Sequence, residues 1–150
     1  MKVLVQEEDF SLQQEADLLR AQSNGTGAIV SFTGLVRDYH QSDVVEALYL
    51  EHYPGMTEKS LYAILEEAAS RWPLLDATVI HRIGELKAGE QIVMVVVSSA
   101  HRKAAFDACE FVMDYLKTKA PFWKKTRSSE GDFWVDAKEG DDQAADRWNK

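Results

Sequence analysis

Hydrophobic and polar residues alternate along this chain with two different periods, and each period marks out an element. Lys2–Gln6 alternates weakly and predicts a short strand. Ser11 with Gln14 three residues on resembles a capping box, and Leu12, Ala16 and Leu19 follow at helical spacing. Ser23-Asn24-Gly25-Thr26-Gly27 is a turn cluster, after which the β-branched and aromatic stretch Ala28–Val36 predicts a strand. Arg37–Asp43 reads as a polar loop and Val44–His52 as another strand, broken by Tyr53-Pro54-Gly55-Met56. Thr57 is positioned to cap a helix whose buried face is Leu61, Ile64, Leu65, Ala68 and Trp72, and Pro73 stops it.

Ala77–Ile83 predicts a strand, Lys87-Ala88-Gly89-Glu90 a turn, and Gln91–Ser99 the most apolar strand of all. Its unbroken run Ile92-Val93-Met94-Val95-Val96-Val97 requires a central strand covered on both faces. A long helix follows over about His101–Lys119, with Ser99 as its expected N-cap and Ala105, Ala108, Cys109, Val112, Met113 and Leu116 as its buried stripe. Pro121 ends it, Phe122–Arg127 and Phe133–Ala137 read as a hairpin around Glu130-Gly131, and the acidic tail from about residue 138 is a helical candidate. Strands and helices mix without strict βαβ alternation, and several connections are short enough for antiparallel pairing. The expected fold is therefore α+β, one domain over residues 1–150, with a mostly antiparallel sheet and helices packed on it.

Composition narrows the function classes. With 150 residues, 45% of them hydrophobic and 28% charged, the chain can bury one sizeable core. No apolar run approaches the roughly 18 residues of a membrane helix. The acidic N-terminus lacks a signal-peptide core, so a cytoplasmic location is expected, without membrane contact. Cys109 is the only cysteine and lies in an apolar stripe, which predicts an inert core thiol rather than a sulfur carrier. The net charge of −8 argues against nucleic-acid binding. Its distribution matters more, because His101–Arg127 carries seven bases against three acids, leaving that segment +4 and the remainder −12. Such concentration points either to a local anion site or to a solvated basic face.

Phosphate loops, dinucleotide fingerprints, serine-hydrolase elbows and zinc-protease motifs are all absent, and His40, His52, His81 and His101 share no metal-ligand spacing. What remains is a basic constellation. His101 and Arg102 open the long helix, where exposed N–H groups and the helix dipole favour an anion. Lys117 stands one turn from its end, at the rim of the buried stripe, and Pro121 lets Lys124 and Lys125 fold back toward it. Arg37 opens the polar loop after the strand carrying Phe32. Taken singly, each of these residues reads as an ordinary surface charge. Together they reach a soluble α+β domain with an anion-binding site.

Five segments also resemble the molybdopterin synthase catalytic-subunit family. They are Phe32-Thr33-Gly34-Leu35-Val36-Arg37, Leu50-Glu51-His52-Tyr53-Pro54-Gly55-Met56, His81-Arg82-Ile83-Gly84, Ser99-Ala100-His101-Arg102 and the diagnostic Met113–Lys125 stretch. The matches run in family order from about residue 28 to residue 137. The resemblance implies an α/β hammerhead fold and a homodimer carrying one small ubiquitin-like subunit on each protomer, a heterotetramer. It implies that the small subunit's C-terminal Gly-Gly thiocarboxylate enters a pocket here and donates two sulfurs to cyclic pyranopterin monophosphate (precursor Z), giving molybdopterin, with no metal or organic cofactor. By the same resemblance Lys117 and Lys124 are catalytic. Leu35, Val36, Arg37, Lys125 and Thr126 bind substrate with them, His101 and Arg102 arrive from the other protomer, and Phe32 and Met113 wall the pocket. Lys138 stands where arginine is expected, a departure that bears on phosphate binding by the tail. A non-catalytic scaffold that docks an acidic partner is the competing reading, and a catalytic Lys117 would separate the two.

Overall fold

The computed structural model describes residues 1–37, 45–128, 131–135 and 139–149. The strands are β1 (Lys2–Gln6), β2 (Ala28–Leu35), β3 (Val45–His52), β4 (Leu74–Arg82), β5 (Gly84–Leu86), β6 (Gln91–Ser99), β7 (Phe122–Ser128) and β8 (Gly131–Val135). The helices are α1 (Leu12–Gln22), α2 (Met56–Arg71), α3 (Arg102–Lys119) and α4 (Glu139–Asp146), the last continued by a 3-10 turn over Arg147–Asn149. Two four-stranded sheets form, ordered β1-β4-β6-β2 and β5-β3-β7-β8. Among the described residues, every pairing is antiparallel except β1 with β4. The α+β expectation holds, and the helices cover the first sheet.

The interior place of β6 explains its unbroken apolar run. Val93, Val95 and Val97 face α2 and α3 and join Leu61, Leu65, Phe111 and Val112 in the main core. Met94 and Val96 face the other way, where Leu19 of α1 and Ile80 close over them. A strand buried on both faces cannot alternate. A third cluster, Val36 with Leu50 and Leu86, ties the end of β2 to the second sheet.

Helix starts differ from expectation at two points. The N-cap of α2 is Gly55, at φ +84°, a backbone region that glycine enters without a Cβ penalty. Glu58 accepts the Gly55 N–H at 2.7 Å, completing the cap from inside the helix. Thr57 is fully buried instead, accepting from the Tyr53 N–H at 2.9 Å and donating to the Pro121 carbonyl at 3.0 Å. Its hydroxyl thus fastens α2 to the link between α3 and β7. At α3 the N-cap is His101, not Ser99, whose hydroxyl donates to the Pro73 carbonyl at 2.8 Å. Because β6 stays paired with both β2 and β4 as far as Ser99, the helix starts only after it. Gly27 crosses that handover so closely that a Cβ there would collide with the Ala100 carbonyl.

Other differences have simple causes. Three-residue β5 is too short to leave a periodic signal. The acidic tail is helical and docks through Trp148, whose ring meets Trp72 and Phe111 edge-on at 5.5 and 5.7 Å. Its indole N–H donates to Asp114 at 2.7 Å, and Arg71 donates to the Trp148 carbonyl at 2.6 Å. Residues 38–43 of the expected polar loop, Glu130 of the hairpin turn and Lys138 lie outside the described residues.

Cys109 is buried among the α3 stripe residues, and burial, helped by Glu110, pushes its thiol up to about 12. At neutral pH it is a protonated core group, which is a poor nucleophile. Cys109→Ala should therefore cost on the order of 1 kcal/mol in urea unfolding. The native thiol should react with a disulfide reagent only after denaturant is added.

Candidate functional site

The basic residues of α3 and β7 are distributed by one geometric fact. β6 passes into α3 through only Ala100 and His101, and α3 packs back across the strands, so it runs antiparallel to β6. Its C-terminal turn returns to the end of the sheet where β6 begins. Lys117 is exposed in that turn. Pro121 then redirects the chain into β7, where half-buried Lys124 pairs opposite Leu50. Phe122 is held beneath them by its N–H to the Ala120 carbonyl at 3.0 Å and by the Thr57 bond to Pro121.

These two lysines converge electrostatically on His81, near the end of β4. Its ring is buried and stacks on Phe122, with centroids 3.8 Å apart and planes at 19°. Nδ1 lies 2.8 Å from the Arg82 carbonyl, which can only accept, so Nδ1 carries the proton. Burial pushes the imidazole down to about 3, reinforced by Lys117, Lys124 and His52 and opposed by the bond to Arg82. His52 itself sits 3.6 Å from Glu58. Reading the sequence for charge passed over His81, the buried ring near these lysines. The signal was a histidine directly after the apolar pair Val79-Ile80 on a strand.

Arg37 emerges at the same end of the sheet. Gly34 and His81 flank Val93 of β6 from either side, and Arg37 follows three residues later. Val36 before it is buried, its N–H donated to the Glu90 carbonyl at 2.9 Å and its carbonyl accepting from Gly89 at 2.8 Å. Arg82 steadies that turn by donating to the Gln91 carbonyl at 3.0 Å, with Glu90 3.6 Å away. Both backbone polar groups of Val36 are thus engaged within the chain. Phe32 and Leu35 are 42% and 53% exposed on β2, the edge strand of its sheet. Met113 is buried in the core one turn before Lys117. Lys125 and Thr126 pair through their backbones with Tyr49 and Leu48, and their side chains lie outside what is described.

His101 and Arg102 are not brought to this cluster. They are exposed at the opposite end of α3, Arg102 fifteen residues from Lys117, a rise of about 22 Å. There they line an open concavity with Lys103, Phe106 and Asp107. Among the described residues, cations therefore gather at both ends of this one helix. Among the described residues, no group of three or more His, Cys, Asp and Glu side chains could hold a metal ion, and no helix is long and apolar enough to cross a membrane.

Comparison with known proteins agrees along nearly the whole length. The chain is 58% identical over 147 residues to a Vibrio cholerae protein named molybdopterin synthase catalytic subunit, covering 98% of this chain and 97% of the relative. An Escherichia coli protein of the same name is 56% identical over 147 residues, with the same coverage. The solved structure of a molybdopterin biosynthesis MoaE protein from Burkholderia ambifaria superposes with a TM-score of 0.86 at 50% identity, covering 99% of this chain and 98% of that one. The sequence model of the MoaE protein family matches residues 5–119. With that match over most of its length, the chain belongs to the MoaE protein family.

Proposed function

We propose that this chain is the catalytic subunit of a molybdopterin synthase, acting in molybdenum-cofactor biosynthesis as a sulfurtransferase. Its substrate is cyclic pyranopterin monophosphate (precursor Z). The sulfur donor is the C-terminal Gly-Gly thiocarboxylate of a small ubiquitin-like subunit, and two successive transfers give the dithiolene of molybdopterin. The whole chain, residues 1–150, acts as one cytoplasmic catalytic domain. The observation that carries this reading is the placement of Lys117 in the last turn of α3 and Lys124 near the start of β7, beside the buried His81 ring stacked on Phe122.

The chemistry asks for cations. Substrate phosphate and thiocarboxylate are both anions, and opening the cyclic phosphate adds charge, so their approach in a partly dry pocket must be offset. Lys117, Lys124 and Arg37 supply that charge from one protomer, with Lys125 and Thr126 extending the site along β7. Phe32, Leu35, Val36 and Met113 give it apolar shape. Lys117 has the added role of moving protons as sulfur replaces oxygen, or of holding the thiocarboxylate carbonyl while the tail is attacked. Its stem can lie along the apolar stripe while its amine faces the reactants.

His101 and Arg102 complete the site from a second copy, because the length of α3 keeps them from reaching Lys117 of their own chain. The exposed apolar edge of β2 supports that arrangement, since a row of Phe32 and Leu35 beside an unpaired strand edge is a surface a partner copy would cover. The complete assembly is then a homodimer with one small subunit on each protomer.

Two measurements test this reading. Sedimentation should give a dimer for the chain alone and a heterotetramer with the small subunit, and a fully active monomer would contradict the shared site. Arginine keeps the charge of lysine but cannot release a proton at neutral pH. Lys117→Arg should therefore bind the small subunit and precursor Z yet lose at least about 100-fold in single-turnover rate, a normal size for a lost proton-transfer group. Lys125→Arg should stay within a few-fold of native. Near-native turnover by a folded Lys117→Arg would leave this lysine only an electrostatic contact.

A further inference from the structure

We propose that His81 is a positioning residue of this reaction. Its imidazole is clamped between the Arg82 carbonyl and the Phe122 ring, sets where Lys124 stands relative to Lys117, and offers the two lysines only a lone pair. This inference rests on the lysine-centred reading above and deepens it.

The clamp is geometric. His81 belongs to β4 in one sheet, and Phe122 opens β7 in the other, two residues before Lys124. Their rings overlap at 3.8 Å, nearly parallel, while the Nδ1 bond of 2.8 Å to Arg82 stops the imidazole from rotating. Phe122 is fixed from its other side by Ala120 and, through Pro121, by Thr57 of α2. The stack is thus a joint at which β4 sets the start of β7, and with it the distance between the two lysines.

The choice of side chain follows from what surrounds it. The cations that bear on the ring are Lys117 of α3, Lys124 of β7 and, when protonated, His52 of β3, with Glu58 of α2 3.6 Å from His52. Arg82, next on β4, is engaged elsewhere by the Glu7 and Gln91 carbonyls. A carboxylate at this position would pair with the lysines and compete with the incoming anions. A cation would push the lysines apart. A phenyl ring would keep the stack but provide no acceptor. Histidine held as its Nδ1–H tautomer satisfies all three demands, because Nε2 then bears a lone pair and no proton. It is neither acid nor base in the reaction and works only through the lysines.

The test uses the complete enzyme with the small subunit and precursor Z. Ring nitrogen shifts in long-range proton–nitrogen spectra should show the native His81 in the Nδ1–H form from pH 8 down to about pH 4, consistent with its descent to about 3. A ring that protonates between pH 5 and pH 8 overturns the proposal without any variant. His81→Phe preserves the stack but loses the Nδ1 bond to Arg82, and its kcat per folded enzyme should fall about tenfold with KM unchanged. His81→Gln, which restores an acceptor, should recover part of that loss. Native kcat in folded His81→Phe, or a loss traced wholly to unfolded protein, also overturns it. Lys117→Arg run alongside keeps the two ideas apart: if it is active, the lysine reading fails, whereas an inactive Lys117→Arg beside a fully active His81→Phe sinks only the role of His81.

Discussion

Everything in this molecule is arranged around the burial of β6 on both faces. Its valines at 93, 95 and 97 need α2 and α3 on one side, and Met94 and Val96 need α1 on the other. Once β6 is enclosed, the two-residue handover at Ala100 and His101 leaves α3 no course except back across the sheet. That course separates the cations of one helix. His101 and Arg102 remain at the end where β6 finishes, and Lys117 is delivered to the end where β6 begins. A packing requirement of the core thereby becomes a statement about assembly, because an anion site that uses both groups must be built from two copies.

The same packing makes room for cations in an acidic protein. Lys117 and Lys124 lie near a histidine that burial keeps uncharged, so its ring adds no positive charge beside them. Around it, polar groups are committed. Thr57 fastens α2 to the turn before β7, and Arg82 holds the turn behind Val36 and Arg37. The only thiol sits protonated in the core, which suits the proposed reaction, in which sulfur would travel on a partner's tail.

Local pattern made most of the framework legible before any coordinates. The unbroken run from Ile92 to Val97 announced a central strand, and the α3 stripe through Cys109 was correct at every position. Charge clustering between His101 and Arg127 drew attention to the segment that carries Lys117 and Lys124. What stayed hidden depends on contacts between residues distant in the chain. The stack of His81 on Phe122 joins two sheets, and Trp148 finds Trp72 and Phe111 from the tail. The parallel pairing of β1 with β4 likewise leaves no mark on either strand's own sequence. Capping failed at Thr57 and Ser99 for a related reason: each hydroxyl had a better partner across the fold than in its own helix, Pro121 and Pro73 respectively.

The central claim is that one active site draws Lys117 from one protomer and His101 with Arg102 from the other. Mixing two inactive variants tests it directly. Lys117→Arg and Arg102→Ala chains would be unfolded together, reassembled with the small subunit and assayed for molybdopterin. If the site is shared, half of the dimers are hybrids, and each hybrid holds one site with neither defect, restoring about a quarter of native activity by random pairing. If each chain completes its own site, every site in every dimer carries a defect, and the mixture stays as inactive as its components.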